Sequence, residues 1–352
     1  MTVKEALKEG IMILNKAGLT RSAALDAEVL LGDAARLTRE KLFTSGGLEL
    51  TTAVLRRYRS YLKRRLTKEP VAYIVGHKEF FGLDFRVKKD KCLIPRPETE
   101  VLVERAIEIA GEWRACHVAR ERRGEESGEW DDSVITPPLM GGAGGGCYRR
   151  PPHLTSPTVG RGTGTTIVDV GTGSGAIAVA VAKTISKYEN LKPVSAHSPL
   201  PTLHSPTITA TDLSPVALKL AKANAEANGV SKLIRFVKCD LLPKDLPRDG
   251  RLLVLANLPY VSTAEWRKLD PGVRDFEPRL ALDGGQDGLD AYRKLFAVLK
   301  KTRPRGGFVL LAEIHPEQYG TMTRLVRRRW PKAKTRRHLD LAKKTRIIEI
   351  DT

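Results

Sequence analysis

The chain has 352 residues, 41% of them hydrophobic, and a formal net charge of +19, a length that suits two domains rather than one. No apolar run reaches the length of a membrane span, and the start Met1-Thr2-Val3-Lys4-Glu5 lacks a signal-peptide core, so a cytoplasmic location is expected. The positive charge suits contact with nucleic acid or a ribosomal surface and suits a solvated basic surface equally, so it assigns no function by itself.

Residues 1–75 read as helices. Val3, Ala6, Leu7, Ile11 and Leu14 recur at helical spacing, as do Ala27, Leu30, Leu31 and Ala34. Thr51 or Thr52 can cap a third helix whose apolar stripe is Val54, Leu55, Tyr58, Tyr61, Leu62 and Leu66. Its other face carries Arg56, Arg57, Arg59, Lys63, Arg64 and Arg65, which reads first as a solvated face and second as a surface for RNA. The stretch from Glu79 to Val87 alternates around Gly82 and predicts a hairpin. Pro95 and Pro97 mark its exit, and residues 98–110 are helical again.

Between 111 and 165 the apolar period disappears into glycines and prolines, which predicts a flexible insertion; a second, shorter one covers 186–206. The four cysteines, Cys92, Cys116, Cys147 and Cys239, form no Cys-x-x-Cys pair, which argues against a disulfide framework and for a reducing compartment. Cys116, His117, Cys147 and His153 match no standard zinc spacing, and no metal is expected.

From 165 onward strands and helices alternate. Strand 167–170 leads to helix 176–184, and strand 207–211 leads to a helix with Ser214 as cap, Pro215 in its first turn and Gly229 past its end. Strands 234–238 and 252–256, helix 289–300, strand 307–313, a basic helix near 322–329 and strand 346–350 follow. This alternation implies an α/β fold with a mostly parallel sheet, helices on both faces and ligands at the carboxyl ends of the strands.

The candidate motifs fall at those ends. Asp169 precedes the turn Gly171-Thr172-Gly173-Ser174-Gly175, which allows close backbone approach at a helix start. A dinucleotide fingerprint wants its third glycine one residue later, and an acid at 169 repels a pyrophosphate but suits an ammonium group. The spacing therefore favours S-adenosylmethionine, cationic at nitrogen and sulfur. Asp212 ends the next strand, where a carboxylate would accept ribose hydroxyls, although it also fits a helix-start cap. Asp240 ends the third strand and would face the adenine edge. A fourth strand ends in Asn257-Leu258-Pro259-Tyr260. A carboxamide or aromatic amine nitrogen needs acceptors to fix its N–H bonds, and the Asn257 side-chain oxygen and the Leu258 carbonyl offer two. Pro259 stiffens the turn and Tyr260 can stack on a planar group.

On these motifs the chain resembles the protein-(glutamine-N5) methyltransferases of the HemK/PrmC family. The resemblance runs through Asp26-Ala27-Glu28-Val29-Leu30-Leu31, Glu69-Pro70-Val71-Ala72-Tyr73, Glu79-Phe80-Phe81-Gly82, Pro95-Arg96-Pro97-Glu98-Thr99-Glu100, the glycine turn and residues 276–290. It implies a seven-stranded Rossmann-like class I S-adenosylmethionine-dependent methyltransferase sheet with a small helical N-terminal domain. It further implies cofactor contacts at Gly171, Thr172, Gly173, Ser174, Gly175, Asp212, Asp240, Leu241 and Asn257, beside Asp169, and substrate contacts from Asn257 through Leu258 and Pro259 to Tyr260. The implied substrate is the glutamine of the Gly-Gly-Gln motif of class 1 peptide chain release factors, with the N-terminal domain helping to dock it. The expected organisation is a helical docking domain over 1–75, a hairpin linker over 76–97 and a methyltransferase domain over 98–352. Where the family usually has a proline, this chain has Leu258, a form shared with ribosomal RNA adenine-N6 dimethyltransferases, so RNA adenine is the alternative acceptor. Gly284-Gly285-Gln286 matches the substrate tripeptide but reads as a structural loop.

Overall fold

The computed structural model describes residues 1–123, 165–189, 206–247, 249–302 and 304–352. These divide into two compact units, Met1–Pro95 with Val261–Gly288, and Arg96–Tyr260 with Leu289–Thr352.

The N-terminal part of the first unit, up to the hairpin, has five helices, α1 (Val3–Lys16), α2 (Ala23–Ala35), α3 (Arg39–Thr44), α4 (Thr52–Leu66) and α5 (Val71–Val75). A capping box between Thr2 and Glu5 opens α1, and Thr51 caps α4 by accepting from the Val54 N–H. The apolar stripes converge as their spacing requires: Val3, Ala6, Leu14, Ala27, Leu30, Leu31, Tyr58 and Leu62 form one buried cluster. Leu66, at the end of the α4 stripe, is exposed instead. The basic face of α4 is less free than its sequence suggests. Arg57 pairs with Asp33, Arg59 with Glu9, Arg64 with Glu69 and Arg65 with Asp26, so four of its cations tie α4 to neighbouring segments of the same unit.

Strands β1 (His77–Phe80) and β2 (Leu83–Arg86) form the antiparallel hairpin, with Phe81 and Gly82 both at positive φ in its two-residue turn. The segment Val261–Gly288, assigned by sequence to the methyltransferase domain, packs in this first unit. The Phe276 carbonyl accepts from the Asp90 N–H at 3.3 Å and Glu277 Oε2 accepts from the Ile94 N–H at 3.3 Å. Gly272 lies so close to the Lys68 carbonyl that an added Cβ would stand 2.8 Å from it. The Gly284 N–H is tied to the Val261 carbonyl at 2.8 Å and the Gly285 N–H to Asp283 Oδ1 at 3.1 Å, which holds the Gly-Gly-Gln segment as a structured loop.

The second unit carries the seven-stranded sheet. Its strands are β3 (Thr165–Val170), β4 (Thr207–Asp212), β5 (Ile234–Lys238), β6 (Arg251–Ala256), β7 (Phe308–Glu313), β8 (Lys334–Leu339) and β9 (Thr345–Asp351), in the order β5-β4-β3-β6-β7-β9-β8. The first five are parallel, and β9 runs antiparallel to both β7 and β8. Helices α6 (Glu100–Arg123), α7 (Ala176–Glu189) and α8 (Pro215–Ala227) pack in sequence on one another. Helices α9 (Asp290–Thr302) and α10 (Tyr319–Arg329) cover the other face, where Tyr292, Leu295, Phe296, Met322 and Val326 join Val254, Ala256, Leu310, Ala312 and Ile348 in one core. Leu253, Leu255 and Leu311, alternating with them, are fully buried as well, so both faces of the central strands are covered.

Two helix ends differ from expectation. Helix α6 continues beyond 110 to Arg123 and α7 beyond 184 to Glu189, because the residues that break the apolar period are still good helix formers. The remainder of both expected insertions lies outside the described residues, as do the side chains of the Cys116, His117, Cys147 and His153 set. Strand β8 has no sequence signal of its own, since Lys334-Thr335-Arg336-Arg337-His338-Leu339 reads as a charge run. It is an edge strand, where charge is tolerated. Its inward charges meet the buried Glu349 of β9, which accepts from Arg105 and His338, each at 2.8 Å, and from Arg336. Burial opposes ionisation of Glu349, yet the hydrogen bonds from His338 and Arg105 hold its pKa down to about 2.

Among the described residues, no helix is long and apolar enough to cross a membrane, and no group of three or more His, Cys, Asp or Glu is placed to hold a metal ion. Among the described residues, neither Cys92 nor Cys239 forms a disulfide.

Candidate active site

Because β5, β4, β3, β6 and β7 are parallel neighbours, the segments that leave their carboxyl ends emerge on one side of the sheet. All of the sequence-derived site residues lie there. A recess of about 350 Å³ lined by Ala182, Ile185, Pro206, Ile208 and Ile234 borders the amino ends of β4 and β5, and none of the candidate site residues lines it.

After β3 the chain turns through Gly171, Gly173 and Gly175, all at positive φ, a conformation that side chains other than glycine rarely adopt. An added Cβ at Gly175 would lie 3.0 Å from Ala221, so this glycine also sets how closely α8 approaches the turn. The turn is tied across the sheet: the Thr172 N–H reaches the Thr211 carbonyl at 2.8 Å, and the buried Asn224 of α8 donates to the Ser174 carbonyl at 2.8 Å.

Asp169 is fully buried beneath this turn. Its Oδ2 accepts from Thr172 Oγ1 at 2.5 Å and from the Ala178 N–H at 3.2 Å, while Oδ1 is buried with no hydrogen-bond partner. Burial pushes the Asp169 pKa up to about 7, against those two hydrogen bonds and with help from the nearby Asp212 charge. A buried carboxylate with a vacant oxygen is costly unless a ligand completes it. A cationic amino group does so, and a pyrophosphate does not.

Asp212, at the end of β4, accepts from the Gly173 N–H at 3.0 Å and from the Ser214 N–H at 2.8 Å. Ser214 itself caps α8, accepting from the Ala217 N–H at 3.2 Å, so capping by Ser214 leaves Asp212 joined to the glycine turn. Each oxygen of Asp212 retains lone pairs for hydroxyl donors. Asp240 is exposed just past β5, and Leu241 follows at a φ of +68°, an uncommon state for a leucine. The Leu241 carbonyl is held by the Thr211 hydroxyl at 2.6 Å and approached by the Cys239 thiol at 3.8 Å.

At the end of β6, Asn257 Nδ2 donates to Thr99 Oγ1 at 3.1 Å, and Thr99 Oγ1 donates to Glu313 Oε2 at 2.6 Å. Tyr260 Oη donates to Glu313 Oε1 at 3.0 Å, so the first and last residues of the Asn-Leu-Pro-Tyr turn share one buried carboxylate. Burial and the neighbouring Glu313 push the Tyr260 pKa far above its usual range, and burial raises that of Glu313. The backbone of the turn is held too: the Tyr260 carbonyl accepts from Gln318 Nε2 at 2.8 Å.

Leu258 is buried in the core with its side chain against Gly171, and its N–H meets Tyr292 Oη at 3.4 Å. A proline would lack that donor. The buried Tyr292 hydroxyl lies 2.5 Å from the Glu313 carbonyl and 3.2 Å from that of Ala256, and so bridges β6, β7 and the turn.

Sequence reasoning passed over Thr99, Glu313, Tyr292, Gln318 and Asn224 as site-building residues. Two of them had a signal: Thr99 lies in the Pro-Arg-Pro-Glu-Thr-Glu element, and Glu313 is a further acid ending a parallel strand.

The sheet order, the glycine turn beneath its first helix and the polar turn on the adjacent strand define a Rossmann-like class I S-adenosylmethionine-dependent methyltransferase. Residues 5–76 match the model of the PrmC N-terminal domain. The chain is 32% identical over 312 residues to the release factor glutamine methyltransferase of Koribacter versatilis, covering 88% of this chain and 86% of the relative. It is 33% identical over 320 residues to that of Moorella thermoacetica, covering 90% and 87%. The chain belongs to the release factor glutamine methyltransferase family. Among solved structures, the N-terminal domain of human METTL16 in complex with SAH aligns with a TM-score of 0.41 and 14% identity over 77% of this chain and 76% of that one.

Proposed function

We propose that the protein transfers a methyl group from S-adenosyl-L-methionine to the side-chain amide nitrogen (N5) of the glutamine in the Gly-Gly-Gln motif of class 1 peptide chain release factors, in the cytoplasm. The observation that carries this reading is the anchored Asn257, whose amide donates to Thr99 and so leaves its oxygen to accept. The relatives from Koribacter versatilis and Moorella thermoacetica, which bear the name of that activity, support it.

The residues present fit the cofactor. In this reading the Asp169 oxygen without a partner receives the amino group, Gly171, Thr172, Gly173, Ser174 and Gly175 wrap the methionine end, Asp212 accepts the ribose hydroxyls, and Asp240 with Leu241 flanks the adenine. When bound, the sulfonium supplies the methyl group and a neutral thioether leaving group. The chain's own task is to position a weak nucleophile. The Asn257 oxygen and the Leu258 carbonyl accept the two amide protons of the substrate glutamine, which aims its nitrogen and stabilises the positive charge that develops on it. Pro259 limits the backbone freedom of the turn, and Tyr260, fixed at its hydroxyl by Glu313, presents its ring to the planar amide.

The N-terminal unit is proposed to help dock the release factor, and the basic surface to add at most a weak RNA or ribosome contact. Incubating the purified protein with isotope-labelled cofactor, a class 1 release factor and ribosomal RNA tests the reading. Mass spectrometry should find the label on the Gly-Gly-Gln glutamine; label on RNA adenine with none on the release factor would overturn it.

A further inference from the structure

The side-chain hydrogen bond of Asn257 belongs to a chain that runs through Thr99 to Glu313. This residue is 1% exposed and Thr99 is 4% exposed, so neither exchanges its partners freely with water. Both hydrogen bonds at Glu313 run toward it, one to each oxygen, so its carboxyl acts as the acceptor on either side. Oε2 takes the single hydroxyl proton of Thr99 at 2.6 Å, and Oε1 takes that of Tyr260 at 3.0 Å. Thr99 Oγ1 is then left with lone pairs only, facing Asn257 at 3.1 Å. A carboxamide can present either NH₂ or oxygen to such a neighbour, and the two ends have nearly the same shape. Here only the NH₂ end makes a bond.

From this geometry we infer that Glu313 and Thr99 are positioning residues that set the polarity of the Asn257 amide, locking Nδ2 inward so that Oδ1 is always the group offered to the substrate. The two ends of the amide are nearly the same size, so the direction of the proton in the Thr99–Glu313 bond is what selects between them. A flipped Asn257 would present donors to a substrate NH₂ that is itself a donor, and the acceptor pair on which transfer depends would be lost. The same carboxylate fixes Tyr260, so one buried group governs both ends of the turn. This inference rests on the transfer reading above for its kinetic consequence but not for its structural content.

The test uses the full-length protein with Thr99→Val, Thr99→Ala, Thr99→Ser and Glu313→Gln. Thr99→Val and Thr99→Ala remove the acceptor and should lower kcat about tenfold while leaving KM for the release factor and the Kd for the cofactor within about twofold. Thr99→Ser restores the hydroxyl and should return kcat to near wild type, which a purely space-filling role would not do. Glu313→Gln lets an amide donor face Thr99, frees the threonine proton for Asn257 and should also lower kcat. The second measurement needs no substrate: the side-chain NH₂ of Asn257, observed by NMR, should exchange slowly in wild type and Thr99→Ser and fast in Thr99→Val. Unchanged exchange and unchanged kcat in Thr99→Val would overturn the inference. If the wild type methylates no release factor, the substrate reading fails while the exchange measurement still decides the polarity of Asn257.

Discussion

At the ends of β3 and β4 a buried acid is short of a partner, whereas at the ends of β6 and β7 the polar side chains bond to one another. Asp169 keeps one oxygen without a hydrogen bond, and its carboxyl is pushed towards neutrality. Asn257, Thr99, Glu313 and Tyr260 form a continuous network among themselves. The contrast teaches that the two halves of one sheet edge are prepared differently. The first resembles a receptor whose electrostatics are completed on binding. The second is a preset frame whose free acceptor is the product of its internal bonding.

The largest expected effect falls on the preset side. Asn257→Ala should reduce kcat about 100-fold or more with cofactor affinity nearly unchanged, as measured by steady-state methyl transfer and calorimetry. Loss of cofactor binding instead would merge the two halves and break the comparison.

On the receptor side, Asp169→Asn should weaken the cofactor by about 2 kcal/mol, since a charged acceptor is replaced by a neutral one of the same shape. The pH dependence has a definite sign. The folded pKa of about 7 lies above the ordinary 3.8, so the protonated Asp169 contributes to folded-state stability fully below about pH 4, and this contribution is lost as the pH rises through 7. An ammonium ligand favours the ionised form. Binding near pH 7 should therefore release a proton and strengthen as the pH rises, visible as calorimetric heats that vary with the buffer in wild type and not in Asp169→Asn.

A smaller change is expected at the turn itself. Gly175→Ala places a Cβ 3.0 Å from Ala221 at a φ of +84°, and should cost about 1–3 kcal/mol of stability with a parallel loss of cofactor affinity. Thermal melts with and without cofactor would measure both, and a neutral result would show that α8 can retreat.

Leu258→Pro should have the least effect. It removes the N–H that meets Tyr292 and some buried apolar surface, for about 1–2 kcal/mol of stability, while methyl transfer stays within about threefold. A collapse of transfer would show that the leucine is needed by the frame and not only by the core.

How much of this was legible in the sequence depended on whether the signal was periodic or relational. Strand 234–238 could be bounded from its residues alone, and the Ser214 cap and Pro215 start fixed α8, because local pattern and local structure coincide there. β8 was invisible because its stabilising partner, the buried Glu349, belongs to another strand. The strand-end motifs stood out as polar residues closing apolar runs. Thr99 and Glu313 did not: they lie 158 and 56 positions from Asn257 respectively, and only folding brings the threonine ahead of α6 to the end of one strand and the acid of the next. A hydrogen-bond direction of this kind has no periodicity for a sequence to display.

Leu258 gives the turn an amide hydrogen where a proline would give none, and that hydrogen is held by a buried tyrosine. Its exchange with solvent requires the contact to open. Isotope exchange at this single backbone position would thus act as a built-in clock for how often the turn loosens, readable in the resting protein and again with each ligand bound.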